Sequence, residues 1–273
     1  MHTTASDGAF APPDLVSMAR AAGLSIVSVT DHDTTAGLAA ASAAARARGI
    51  EVIPGIEISA VADGRDVHVL GYFIDPDAPV LQAFLARQRH DRLRRVREMR
   101  DRLAALGCPV DVEPILDAAR CGKSVGRPQI AAALLSAGHV GTLDEAFDRF
   151  LEFGAPAYVP RLGAAPGEVV RIVHGAGGVA SLAHPGPARR DELIPALARA
   201  GLDALEARHV DHDAAAEAKY RALAGELGLL VTGGSDFHGG GEHGAAALGS
   251  VTLPSDDLDR LRAAAARRRL SNG

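Results

Sequence analysis

Residues 24–49 read LSIVSVTDHDTTAGLAAASAAARARG. Leu24–Thr30 is a short β-branched apolar run, and from Thr34 the chain turns Ala-rich and closes on Gly49, the punctuation of a helix end. Asp31-His32-Asp33 therefore sits where a strand hands over to a helix, the position at which α/β folds place their active sites.

The same grammar extends in both directions. PPDLVSMARAAG (12–23) has proline near its start and glycine at its end, again a helix. EVIPGIEIS (51–59), DVHVLGYF (66–73), GVASLA (178–183), LDALEA (202–207) and LLVTGGS (229–235) are further strand-like runs, so the alternation predicts βαβ units and a mainly parallel sheet or barrel. From about residue 78 to 160 the rhythm stops. A long Arg-rich helix and segments near 112–120, 127–138 and 142–152 follow one another with no strand, and prolines 76, 79, 156 and 160 flank them. The expectation is an α/β body formed by 1–77 and 161–273, interrupted by a helical insertion domain over 78–160.

Composition fits a globular protein of 273 residues, with 47% apolar and 23% charged residues. No apolar run reaches membrane-spanning length and no basic-then-apolar leader is present, so the expected location is cytoplasmic, with no membrane association and no obligate protein partner evident. Cys108 and Cys121, the two cysteines, lack thiolate-ligand spacing. A net charge of -5 argues against a generic nucleic-acid coat, although converging arginines could still hold a phosphate.

Eleven histidines give the chemistry, through their neighbours rather than their number. His32, Glu57, His68, His184, and the pair Asp236 and His238 all fall on or just after strand-like runs. Imidazole and carboxylate together select Zn²⁺, Mn²⁺ or Fe²⁺, and a bridging carboxylate lets several ions share one pocket. One such histidine would be read as structural; five strand ends with the same chemistry point to a metal site.

His2-Thr-Thr-Ala-Ser-Asp7-Gly8, Thr30-Asp31-His32-Asp33, Pro54-Gly-Ile-Glu57-Ile-Ser59, His68, Ala183-His184-Pro185-Gly186 and Gly234-Ser235-Asp236-Phe237-His238 resemble, in order and across nearly the whole chain, the motifs of the PHP family, named for polymerase and histidinol phosphatase. The resemblance implies a distorted (β/α)7 PHP barrel with a helical insertion domain, similar to the nucleotide bisphosphate phosphatase branch. It implies two to three divalent ions per chain, Mn²⁺, Fe²⁺ or Zn²⁺: one on His2, Glu57 and Asp236, a second on Glu57, His68 and His184, a third on Asp7, His32 and His238. The family's first strand ends in a His-x-His pair. Here His2 matches the second histidine and Met1 the middle position, so either that strand lies upstream or one metal position is weakened, and a chain lacking the strand is expected to be less stable.

Gly122-Lys-Ser124-Val-Gly-Arg127-Pro128 precedes a helical segment, with Pro128 read as the first helical residue. Arg127 and Ser124 are candidates to grip a phosphate there, the alternative being a plain helix cap; the resemblance favours the phosphate role, although Gln129 stands where relatives usually carry histidine. Arg161 is a second phosphate candidate. His209 follows LDALEA and reads either as a substrate contact or proton donor, or as part of a solvated loop. Asp33 is a candidate positioning or proton-transfer residue. RQRHDRLRRVREMRDRL (87–103) holds eight arginines, yet Leu85, Leu93, Val96, Leu103 and Leu106 recur at helical spacing, favouring an amphipathic helix with a solvated face over a nucleic-acid surface.

The function these residues and the resemblance imply is metal-dependent hydrolysis of a phosphate ester on a small metabolite, most plainly a nucleotide 3′,5′-bisphosphate or a short RNA end. The alternatives are another phosphometabolite, such as histidinol phosphate or a cyclic sugar phosphate, and a non-catalytic nucleotide-binding module.

Overall fold

The computed structural model describes residues 1–239 and 247–272. Six strands, β1 (Ile26–Val29), β2 (Glu51–Ala62), β3 (Arg65–Tyr72), β4 (Val179–Leu182), β5 (Ala204–His209) and β6 (Leu230–Gly234), pair in chain order into one curled sheet. Helices α1 (Pro12–Ala21) and α2 (Leu38–Arg48) flank β1. After β3 come α3 (Pro79–Ala105), α4 (Glu113–Arg120), α5 (Arg127–Ser136) and α6 (Leu143–Ala146), the last running into a π-turn over Phe147–Leu151. The chain then returns through α7 (Pro166–Gly175), α8 (Pro185–Ala188), α9 (Ile194–Arg199), α10 (Ala214–Leu227) and α11 (Ser255–Asn272).

The sheet is mainly parallel, as expected, with one strand departing from the pattern. β1–β2, β4–β5 and β5–β6 are parallel, but β3 is antiparallel to both β2 and β4. The cause is local: Ala62 pairs with Arg65 around the two-residue turn Asp63-Gly64, both at positive φ (51° and 74°), the backbone of a tight hairpin for which Asp-Gly is a preferred pair. β2 also continues three residues beyond Ser59. Glu57 and His68 consequently lie inside a long hairpin rather than at strand ends.

That hairpin explains how the site is built. Residues pairing directly across β2 and β3 share a face, and Ser59 pairs with His68, Val61 with Asp66 and Glu57 with Leu70. Ile56, Ile58, Val67 and Val69 occupy the other face, essentially excluded from solvent, in a core with Leu81, Phe84, Leu85, Val169, Val170 and Val173. A second cluster draws its buried residues from 96–159, among them Val96, Met99, Leu103, Ile130, Leu134 and Leu151. α3 belongs to both, its first turns packing under the sheet and its later turns in the second cluster. Of the apolar positions expected on α3, Leu85, Val96 and Leu103 are buried, while Leu106 lies past the helix end and is exposed.

β1 and β6 are the two edges of the curled sheet. A cavity of about 390 Å³ lined by Leu24, Ile26, Leu70, Phe73 and Leu253 runs between them and reaches Asp236. The opening residues bridge it at the site end: the Met1 carbonyl accepts from the Thr30 amide (3.0 Å) and the His2 amide donates to the Phe237 carbonyl (2.9 Å).

Candidate metal centre

Six segments deliver side chains to one point: the N-terminal loop, the stretch after β1, β2, β3, the end of β4 and the stretch after β6. Past β1 the chain stays beside β2, with His32 bridged to Glu57 and the Asp33 amide donating to the Glu57 carbonyl (2.9 Å). The N-terminal loop folds over Asp31, whose carboxylate accepts from the Thr3 amide, the Thr3 hydroxyl and the Ser6 hydroxyl, each at 2.7 Å. Gly8 closes that loop so tightly that a Cβ there would stand 2.3 Å from the His2 carbonyl oxygen. The end of β4 is tied to β3 by the Ala183 amide donating to the His68 carbonyl (3.0 Å). Asp33, His184 and Asp236 each hold positive φ, at 50°, 25° and 45°, strain that non-glycine residues keep only where their surroundings enforce it.

Glu57, 2% exposed, is the hub. Its Oε1 lies 2.7 Å from His68 Nδ1 and 3.2 Å from His184 Nε2, and its Oε2 lies 3.1 Å from His2 Nε2. His2 Nε2 is also 3.0 Å from Asp236 Oδ1, and its Nδ1 is 3.6 Å from Asp7 Oδ1. Asp7 further faces His32 (3.7 Å) and His238 (3.5 Å). The structure thus brings His2, Asp7, His32, Glu57, His68, His184, Asp236 and His238 into one cluster, with ligand-type atoms of His2, Asp7, His32 and His238, of His32, Glu57 and His68, and of His2, Glu57 and Asp236 each within 4.8 Å of one another.

The cluster's electrostatics ask for cations. Burial by itself would lower the His2 pKa, yet the carboxylates of Asp236 and Glu57 lift it to about 10. Burial likewise pushes Glu57 up, and the imidazoles of His32, His68, His184 and His2 more than reverse this, holding it well below the carboxylate range. Asp7 is held at about 2 against its burial by His32, His2 and His238. His2 Nδ1 and Nε2, Asp7 Oδ1, His32 Nδ1 and His209 Nε2 are buried without a hydrogen-bond partner. Buried donor and acceptor atoms left unpaired cost free energy, and imidazole nitrogens facing carboxylate oxygens are the donor set that zinc, manganese and iron take. The residues therefore fit divalent metals.

Beside the cluster stands a cradle of arginines. Asp33 accepts from Arg92 Nε (3.0 Å) and Nη2, from Arg161 Nη1 (3.3 Å) and from the Ser59 amide (2.9 Å). Asp66 accepts from Arg161 Nε (3.2 Å) and Arg127 Nη2 (3.4 Å). Arg92, Arg95 and Arg161 are all buried; one Nη of Arg95 and the Ser124 hydroxyl are buried without a partner. Arg127 is the first residue of α5 and Pro128 the second, one place later than expected; Gln129 caps the helix through the Gly126 amide (2.7 Å) and reaches the Ser6 carbonyl (3.2 Å).

Sequence reading missed Arg92 and Arg95, treating the arginine run as a solvated face. A signal was present, because 81, 84, 85, 88, 91, 92, 95, 96, 99 and 103 form one buried stripe of α3, and three charged residues, Asp91, Arg92 and Arg95, fall on it. It also missed Glu206, which is 5% exposed and accepts from the His184 amide at 2.8 Å; burial raises its pKa. A carboxylate inside the apolar run LDALEA was the visible clue. His209, on the same strand, has its Nε2 3.8 Å from Asp236 Oδ2.

Asp66 gives a pH-dependent expectation. Burial would raise its carboxyl, but Arg161, then His68 and Arg127, hold it at about 2 against an ordinary 3.8. A depressed carboxylate contributes stability that is present above the unfolded value and is lost as pH falls through the folded one, here about 2 kcal/mol. Asp66→Asn is therefore expected to unfold about 2 kcal/mol more readily than wild type at pH 7, with the difference closing as pH falls toward 2. Urea titrations across that range check it, and a pH-independent difference would contradict it.

The PHP domain profile matches residues 1–119. The chain is 35% identical over 250 residues to a 3′,5′-nucleoside bisphosphate phosphatase of Chromobacterium violaceum, covering 89% of this chain and 87% of the relative. It is 34% identical over 247 residues to a phosphoribosyl 1,2-cyclic phosphate 1,2-diphosphodiesterase of Eggerthella lenta (88% and 92% covered), and 32% identical over 244 residues to the 5′-3′ exoribonuclease Rnm of Escherichia coli (87% and 83%). A solved structure described as a metal-dependent phosphoesterase, from Bifidobacterium adolescentis, superposes with a TM-score of 0.86 at 35% identity over 96% of this chain and 93% of that one. The chain belongs to the PHP family; its fold is a distorted PHP barrel, and it is a metal-dependent phosphoesterase, a hydrolase. Among the described residues no helix is long and apolar enough to cross a membrane.

Proposed function

We propose that this enzyme removes a phosphate from a nucleoside 3′,5′-bisphosphate or from the phosphorylated end of a short RNA, with two to three ions of Mn²⁺, Fe²⁺ or Zn²⁺ bound. The observation that carries the reading is the arginine cradle next to the metal-ligand cluster. A substrate with two phosphates can set one against the cluster and the other against Arg127, Arg161 and Ser124, which a substrate with one phosphate cannot do. Insertion residues 78–160 supply most of this cradle, so the insertion acts as the substrate-binding part and the barrel as the reacting part.

His2, Asp7, His32, Glu57, His68, His184, Asp236 and His238 are the proposed metal ligands. Ions held there supply Lewis acidity to the phosphoryl group and to the attacking water. Arg127 and Arg161 bind phosphoryl oxygens through bidentate guanidinium contacts. Asp33 fixes Arg92 and Arg161 so that they need not reorganise when the anion arrives, and charge arranged in advance lowers the cost of the transition state. His209, whose pKa Asp236 and Glu206 raise against its burial, is the residue we assign to give a proton from Nε2 to the leaving oxygen.

The test is release of inorganic phosphate from a panel: adenosine 3′,5′-bisphosphate, a 5′-phosphorylated oligoribonucleotide, histidinol phosphate and a phosphoribosyl 1,2-cyclic phosphate. The nucleotide substrates are expected to exceed the others in kcat/KM by about tenfold or more. Equal turnover of all four would reject the nucleotide preference. Preference for the cyclic phosphate would favour the activity named for the Eggerthella lenta relative.

A further inference from the structure

Just outside the arginine cradle the structure presents aromatic surface that neither the metal cluster nor the phosphate contacts use. Phe153 is 61% exposed, whereas Phe84, Phe150 and Phe237 are buried. Its ring meets Tyr158 edge-on, with centroids 5.5 Å apart and planes inclined at 65°. The Arg65 guanidinium lies 5.5 Å over the Phe153 ring, and that of Arg127 lies 5.8 Å over the Tyr158 ring. Tyr158 thus shares Arg127 with the cradle, because the same guanidinium reaches Asp66.

Arg127 sets the scale: its guanidinium meets both the Tyr158 ring and Asp66, and on the same face of β3 His68, a member of the metal cluster, lies two residues, roughly 7 Å, beyond Asp66, while Arg65 joins the ledge from the hairpin end. A nucleotide is of that size and has that order of groups, with phosphate, sugar and planar base in succession. Aromatic rings stack on bases of any sequence, and guanidinium groups add cation–π attraction. A large exposed aromatic ring beside a cationic site is unusual in a chain with no tryptophan and three tyrosines, and Phe153 is not needed to fill the second core.

We propose that Phe153, Tyr158 and Arg65 form a nucleobase-stacking subsite, which makes base-bearing phosphate esters better substrates than base-free sugar phosphates. The inference rests on the nucleotide-phosphatase reading and deepens it. It predicts discrimination by the presence of a base, with little discrimination among bases, since stacking uses a π-face that all of them have.

The experiment compares wild type, Phe153→Ala and Phe153→Trp on adenosine 3′,5′-bisphosphate and on a base-free ribose bisphosphate, by phosphate release and by calorimetric binding. Phe153→Ala is expected to raise KM and Kd for the adenosine substrate by about tenfold to a hundredfold while kcat and all base-free constants stay near wild type, and Phe153→Trp is expected to preserve affinity. Equal losses on both substrates would mean that Phe153 merely supports the fold, and no loss on either would mean that the base does not reach it; each result overturns the subsite. A chain that binds adenosine bisphosphate in preference to the base-free ester, yet releases no phosphate from any compound, would refute the phosphatase reading while supporting the subsite.

Discussion

Glu57→Gln is expected to lower phosphate release on the order of 10³-fold and to reduce the metal content of the purified chain. One carboxylate here faces His68, His184 and His2, with the shortest approach 2.7 Å. Glutamine has the same shape but no charge, and its amide offers donors to nitrogens that a cation requires as lone pairs. The charge matters twice over. It helps draw a proton onto His2 when no cation is bound, and it would help hold a divalent ion against the surrounding imidazoles. Because the side chain stays polar and isosteric, the variant is expected to fold, so circular dichroism and elemental analysis can be read beside the kinetics. A folded Glu57→Gln chain with near-normal turnover would remove Glu57 from the metal site.

Asp33→Ala is expected to destabilise the protein by about 3–5 kcal/mol, because it strands buried charges that had a shared partner. Arg92 and Arg161 would both lose their contact with this carboxylate, and the Ser59 amide its acceptor. Alanine is also a poor occupant of φ 50°, where aspartate and asparagine are better tolerated. Asp33→Asn should recover part of the loss by keeping the backbone and a hydrogen bond, and Asp33→Ala with Arg92→Met should recover part by removing one stranded charge. In whichever variant folds, KM is expected to rise more than kcat falls, since the arginines lose orientation while the metal ligands stay. Urea denaturation measures the stability term; a change within about 0.5 kcal/mol, the range of ordinary surface substitutions, would contradict this account of Asp33.

These two residues also show where the sequence was informative. The strand-like runs and the short motifs at Asp7, His32, Glu57, His184 and Asp236 were readable, because a buried strand announces itself by apolar content and a candidate metal ligand by its residue type. The direction of β3 was not inferred from periodicity, which is the same for a strand run either way; only Asp63-Gly64 carried that information, and it lies between two runs rather than in either. The inward arginines were hidden by their neighbours. Eight arginines in one helix look like a solvated face until each is placed on the buried stripe, where Arg92 and Arg95 fall beside Val96 and Met99.

Other features depend on contacts between distant segments and left no local trace. Asp31 sits in the same Asp-His-Asp motif as two candidate site residues, but its role in holding the Thr3–Ser6 loop appears only once residues 3 and 31 are brought together. The cavity between β1 and β6 follows from how far the sheet curls. Phe153 reads as an ordinary apolar residue in sequence; its meaning comes from Arg65, which lies 88 positions earlier in the chain.

Elemental analysis of the untagged chain after reconstitution with manganese and removal of loosely bound ions tests the central claim most directly. The account predicts two to three ions per chain, falling when Glu57 or Asp236 is replaced. A chain that retains none, while folded and able to release phosphate, would contradict the assignment of the histidine and carboxylate cluster as the metal centre.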